Sequence, residues 1–228
     1  MSDIALIRLL EAFGPLGVVA FLAAIVVAVT VHEFAHAWVA SRQGDQTARL
    51  LGRVSLNPMA HLDPAGSFLF LFAGVGWGKP VPVNPYNLRQ GKLGDFYVSI
   101  AGIVANLIVA FIFAIPFRIV AFSGGDVVTA LDTSVWFQLS NLMIEINILL
   151  AAFNILPIPP LDGSKAIGLF VPRRFEAAYQ EYLRIGPMLL IGLFLFVFVF
   201  DSALLGNILD PVRGIFGYFV KAFPAGLV

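Results

Sequence analysis

The sequence predicts an all-α polytopic membrane protein: four to five transmembrane helices, with a re-entrant segment and short β-strands at the cytoplasmic side. Three observations predict it. Of the 228 residues 59% are hydrophobic and only 12% charged, against roughly 25% charged in an average soluble domain, and the mean hydropathy is +0.91. Four runs supply the roughly 20 mostly apolar residues that cross a hydrocarbon layer about 30 Å thick at a rise of about 1.5 Å per residue. The basic residues are also sorted, collecting in two of the connections and leaving a third with acids alone.

Taken in order, residues 1–13 place Ile4, Ile7 and Leu10 at helical spacing away from Asp3, Arg8 and Glu11, the pattern of a short interfacial helix; a frayed start to the first span is the equal alternative. The start lacks a basic stretch and a small-residue cleavage site, so it reads as mature sequence. Residues 15–40 form the first span. The connection 41–92 is rich in Gly, Pro and Asn and carries two similar phrases, "GRVSLNP" and "KPVPVNP", each expected to be a short strand stopped by an Asn-Pro turn. Inside it, "GSFLFLFAGVGW" at 66–77 is apolar but too short to cross and is expected to be a re-entrant or partly buried segment. Spans follow at 95–121, 135–156 and 184–201. A weaker fifth candidate at 204–223 is interrupted by Asp210, Pro211 and Arg213, so it either spans or lies on the surface.

Lys and Arg in short loops are retained on the cytoplasmic side. Arg42, Arg49, Arg53, Lys79, Arg89 and Lys92 place 41–92 there, and Lys165, Arg173, Arg174 and Arg184 place 163–184 there. The loop 122–134 and the N-terminus fall outside.

Formal charge balances, 14 basic against 14 acidic residues, so no basic field points to nucleic acid. The absence of Cys leaves His, Asp and Glu as metal ligands. The first span ends in "VHEFAHAWVA", three ionisable residues within five. Each costs a few kcal/mol in lipid unless it pairs, binds a metal or lines a pathway. His32 and His36, four apart, project from one helical face one turn from each other, so both imidazoles can reach one ion. Glu33 beside them can take a proton from metal-bound water, and zinc suits such ligands with one open position. A proton relay or a transport site is the competing use of the same residues.

A catalytic zinc usually takes three protein ligands. His36 lies six residues before Arg42 and Asp162 three before Lys165, so both sit near the cytoplasmic edge. Asp162 lies in "NILPIPPLDG", where Pro157, Pro159 and Pro160 forbid regular helix and Gly163 allows a sharp turn. By itself that phrase is also an ordinary helix-ending turn.

Together "HEFAH" at 32–36 and "NILPIPPLDG" at 154–163, in that order, resemble the site-2 protease family of intramembrane zinc metalloproteases, which carries H-E-x-x-H on one helix and N-x-x-P-x-P-x-x-D-G on another. "GIVAN", Gly102 to Asn106, matches the family's G-x-x-x-N element, and "LNPMAHLDPAGS" with "GWGKPVPVNP" resembles its compact prokaryotic branch, without PDZ or regulatory domain. The resemblance covers most of residues 15–200. It implies one Zn2+ per chain held by His32, His36 and Asp162, with Glu33 as general base. Asn154 would orient its motif or polarise the substrate, and Asn106 would donate to the oxyanion, with an interhelical hydrogen bond as the even alternative for Asn106. It also implies a multi-pass protein of the prokaryotic plasma membrane that hydrolyses transmembrane protein substrates near the cytoplasmic leaflet. The extended phrases would hold the unwound substrate by edge pairing. A metal or proton transporter is disfavoured by the lack of a second copy of the ligand motif. A metal-binding module that no longer cleaves is disfavoured by the retained Glu33. His61 and Asp63 are left out of the metal set as structural loop residues, and Glu145, mid-span, is read as a pairing group outside the catalytic set.

Overall fold

The computed structural model describes residues 5–73, 76–199 and 204–221, and among these every regular element is helical. Three long helices form the centre: α1 (Ala5–Gln43), α4 (Lys92–Phe122) and α6 (Val135–Asn154), each packed on the other two. They are the three that length and composition qualify to cross a membrane, over Gly14–Gln43, Lys92–Phe122 and Val135–Asn154. The protein is thus an all-α membrane protein. Small buried residues let these backbones approach: Ala24, Ala28 and Ala37 on α1, Ala101, Gly102 and Ala110 on α4, Ala151 and Ala152 on α6. Gly14, at φ 66°, breaks α1 just before Pro15. Residues 5–13 of the expected interfacial helix are helical; residues 1–4 lie outside the described residues.

The connection after α1 holds the short helices α2 (Thr47–Leu50) and α3 (Pro64–Ala73). Here the expected β-strands are corrected: among the described residues no strand forms, only an isolated bridge between Leu62 and Gly78. Pro80, Pro82 and Pro85 lack the N–H a ladder needs, and the donors that remain turn to other acceptors. The two similar phrases do share their turns. Asn57 accepts from the Met59 amide (3.0 Å) and Asn84 from the Tyr86 amide (3.1 Å), each opening a 3-10 turn at the following proline. In the expected re-entrant segment, α3 would span about 15 Å at about 1.5 Å per residue. A Cβ on Gly66, near its start, would lie 2.2 Å from the Trp77 carbonyl oxygen, so the chain returns to the level it left. Residues 74–75 of that segment lie outside the described residues.

Beyond α4, α5 (Val127–Thr133) begins with Asp126, whose carboxylate accepts from the Val128 amide, and leads into α6. After α6, α7 (Asp162–Ala166) is a single short turn, followed by α8 (Glu176–Val199) and α9 (Leu204–Lys221). The expected span 184–201 falls in α8, with 200–201 outside the described residues; the candidate at 204–223 is α9 up to Lys221. α9 packs on α4 and α6. Leu209 joins Leu156 and Leu161 in one cluster, and Val220 joins Phe117 and Ala114 in another. At that second end Arg118 of α4 donates to the Phe219 and Val220 carbonyls (3.2 and 2.6 Å), occupying acceptors at the C-terminus of α9.

Candidate metal centre

α1 carries His32 and His36 one turn apart on its buried face, 5% and 7% exposed. Their rings meet edge to face with centroids 4.6 Å apart. The backbone after α6 cannot continue as helix through Pro157, Pro159 and Pro160, and it turns so that α7 starts at Asp162, also buried. Gly163 permits this: a Cβ there would lie 2.1 Å from the Ile155 carbonyl oxygen. The turn brings Asp162 Oδ2 to 3.0 Å from His32 Nε2 and 3.1 Å from His36 Nε2, while the two Nε2 atoms are 3.0 Å apart. Among the described residues these three form the one group with metal-ligand geometry.

Hydrogen bonds behind the rings fix what those three atoms are. His36 Nδ1 lies 2.7 Å from the Val98 carbonyl, which can only accept, so Nδ1 carries the proton. Asn106 donates through Nδ2 to the Ala28 carbonyl (3.0 Å) and to Asn147 Oδ1 (2.8 Å), which leaves its Oδ1 to accept from His32 Nδ1 at 2.7 Å. With neutral imidazoles, both Nε2 atoms therefore present lone pairs to a carboxylate oxygen. Three acceptors converging in a buried place repel one another unless a cation sits among them. Their separations fall a few tenths of an ångström short of the about 3.3 Å edge of a tetrahedron with about 2.05 Å metal–ligand bonds. The donor set fits zinc.

Gly102 is the condition for this packing. A Cβ on it would lie 2.5 Å from His32 Cε1 and 2.6 Å from His36 Nε2. The G-x-x-x-N spacing thus places Gly102 under both rings and Asn106 behind one of them. Both Asn106 amide hydrogens are engaged, so in this arrangement it orients His32, and no hydrogen is free for the expected oxyanion role. Asn147, which shares a helix face with Asn154, extends the chain by donating to the Met143 carbonyl (2.8 Å).

Glu33 stands outside the ligand group. It is half-buried and lines a cavity of about 140 Å3 together with His32, His36, Asp162, Val81 and Asn154. Its Oε2 accepts from the Val81 amide at 3.1 Å. Asn154 donates one amide hydrogen to the Leu150 carbonyl (3.0 Å) and faces the same cavity. A larger groove, about 410 Å3 between α4 and α9, is lined by apolar side chains alone and shares no residue with the metal centre.

Residues 78–84 run as a strap along one wall of the cavity; of the residues that pin it, Arg53 reads in the sequence as an orienting charge and His61 as a loop residue, and Asp45 is not singled out there. Arg53 is buried and its guanidinium donates to the Lys79 and Pro80 carbonyls. The His61 carbonyl accepts from the Lys79 amide (2.7 Å), and the His61 ring donates to the Ser55 carbonyl (2.7 Å). Asp45 accepts from the Asn84 amide (2.7 Å), Asn87 (3.1 Å) and Thr47 (2.6 Å). Burial pushes the Asp45 pKa up, but the hydrogen bonds from Thr47, Asn84 and Asn87 outweigh it and hold the carboxyl below its ordinary value. Asp63 accepts from the Gly66 amide (2.9 Å) at the start of α3. His61 and Asp63 both lie outside the metal group. Glu145 pairs with Arg213 of α9 at 3.4 Å.

Comparison with known proteins gives a relative from Bacillus subtilis named "Putative zinc metalloprotease YwhC", 39% identical over 202 residues, 88% of this chain and 91% of the relative. The chain belongs to the site-2 protease family. Two further relatives, each named "Putative zinc metalloprotease Rip2", agree. The one from Mycobacterium tuberculosis is 27% identical over 74% of this chain and 64% of its own length. The one from Mycolicibacterium smegmatis is 29% identical over 60% and 51%. No family model and no solved structure matches the chain. As a member of this family's compact branch the chain takes zinc as its cofactor, and His32, His36 and Asp162 are the residues that could hold it.

Proposed function

We propose that the protein is an intramembrane endopeptidase that hydrolyses peptide bonds of transmembrane proteins near the cytoplasmic leaflet of a prokaryotic plasma membrane. The observation that carries this is the convergence of two imidazole lone pairs and a carboxylate beside a glutamate that is not one of the ligand group, in a cavity between apolar helices. Zinc, when bound, supplies a Lewis acid that polarises the scissile carbonyl and makes a water acidic enough to attack near neutral pH. His32, His36 and Asp162 hold it. Glu33 takes the proton of the attacking water and returns it to the leaving amine, so no covalent intermediate is required. The Val81 amide fixes the Glu33 carboxylate through Oε2, and among the described residues no hydrogen bond occupies Oε1, which is left for that transfer. Asn154 keeps a second amide hydrogen for a substrate carbonyl.

The substrate helix must unwind before it is cut, because its peptide groups are bonded to one another. The strap supports such a chain. Pro80, Val81 and Val83 line the cavity, and Pro80 and Pro82 have no N–H to donate. We assign α8 and α9 as the remaining spans, with the Asp210–Arg213–Glu145 ion cluster neutralising the charges of α9 against α6.

Purified wild type and Glu33→Gln, reconstituted in lipid vesicles with a membrane-embedded helical substrate, test the scheme. Both should bind one zinc, and Glu33→Gln should cut about 10²- to 10⁴-fold more slowly. Cleavage at the wild-type rate by Glu33→Gln with zinc bound would remove the general base from the mechanism.

A further inference from the structure

The three ligands differ in how they are held. Each histidine has a partner behind its ring, Asn106 for His32 and the Val98 carbonyl for His36. Among the described residues the polar neighbours of the Asp162 carboxylate are the two imidazole Nε2 atoms, which in this tautomer donate nothing to it, so its position depends on its backbone. That backbone is gripped from outside by α8. Tyr179 donates to the Ser164 carbonyl (2.9 Å), two residues after Asp162, and stands 3.3 Å from the Lys165 carbonyl. Tyr182, one turn further along α8, donates to the Pro157 carbonyl, five residues before Asp162. The two phenols bracket the ligand.

Two glycines let α8 seat there. A Cβ on Gly168 would lie 2.5 Å from the Tyr179 hydroxyl, and one on Gly186 would lie 1.9 Å from Pro159 Cβ. The two phenols of α8 thus send their hydrogen bonds to the turn that carries the third ligand. The Pro157 carbonyl lies where the prolines have broken the helix and the Ser164 carbonyl in the short α7, so the two phenols tie down the chain on both sides of Asp162.

We propose that Tyr179 and Tyr182 are positioning residues for Asp162, setting the zinc affinity of the site through the backbone on either side of it. The proposal rests on Asp162 being a zinc ligand. A substitution to Phe keeps the ring and removes only the hydrogen bond, so packing is conserved. Loss of an outer partner of a metal ligand typically lowers affinity about 10- to 100-fold, and a double-mutant cycle separates a local effect from a general one.

The test is zinc dissociation constants by chelator competition on the purified full chain in lipid nanodiscs. The proteins are wild type, Tyr179→Phe/Tyr182→Phe, Asp162→Ala, and the three substitutions combined. The paired Phe variant should bind zinc about tenfold more weakly or worse, and this loss should vanish once Asp162 is Ala. Unchanged affinity in the paired variant overturns the proposal. So does an equal loss with and without Asp162, which would make the tyrosines general supports of the fold. If Asp162→Ala alone binds zinc as wild type does, the ligand assignment itself fails, a result distinct from either of those.

Discussion

His32 and His36 stand on an unbroken stretch of α1 and take their orientation from acceptors on α4, whereas Asp162 stands on a proline-broken turn and takes its position from the chain around it. A regular helix delivers two ligands to one point for free, because the four-residue period is built into its geometry. A third ligand from another element needs backbone that leaves the helix, and inside a membrane such backbone survives only when protein satisfies its polar groups. The difference teaches where each half is vulnerable: the helical half to loss of space or of a ring partner, the turn half to loss of backbone support.

The largest effect should come from filling the space the two halves share. Gly102→Ala puts a methyl within 2.6 Å of both imidazoles and cannot be absorbed by a flexible side chain. It should abolish measurable zinc binding, with about 1–3 kcal/mol or more of lost stability, as read by zinc content and thermal unfolding. Gly163→Ala, which meets the Ile155 carbonyl at 2.1 Å, should displace Asp162 and lower zinc affinity while leaving the His pair in place. Two retained imidazole ligands, seen by spectroscopy on the cobalt-substituted protein, would separate the turn from the helix.

The helical half was legible in the sequence because a five-residue spacing in an apolar run is a local signal. The turn half was legible by matching depth, through the basic residues that follow each motif, and by the resemblance of "NILPIPPLDG" to the family's second motif. The strands were not: alternation in "RVSLNP" and "VPVNP" suggested pairing, but proline removes the donors, and Val81 and Asn84 direct theirs to Glu33 and Asp45. Arg53 and Asp45 were unreadable as structural anchors, since a buried charge in a loop looks like any other loop charge until its acceptors or donors arrive from elsewhere in the chain. Asn106 was found by motif, yet its place behind His32 depends on Ala28 and Asn147, which no local spacing reveals.

A smaller effect belongs to that asparagine. Asn106→Leu frees the His32 ring and should weaken zinc binding about 10- to 100-fold by chelator competition. His36, held by a backbone carbonyl, should keep its orientation. The smallest effect lies in the strap. Asp45→Asn replaces an acceptor facing the Asn84 amide and should cost about 1–2 kcal/mol in thermal stability. Because the Asp45 pKa is lowered in the fold, its contribution is complete above about pH 4, near the unfolded value, and is lost as pH falls through the lowered value. The pH dependence below about 4 should flatten in the Asn variant.

The central claim is that two helical imidazoles and one carboxylate from the turn meet on a single zinc. X-ray absorption at the zinc edge of the purified protein addresses it directly. Two imidazole ligands with oxygen completing the shell, and loss of one oxygen ligand or of the metal in Asp162→Ala, are the results expected. A spectrum with fewer than two imidazoles, or one that Asp162→Ala leaves unchanged, would contradict it.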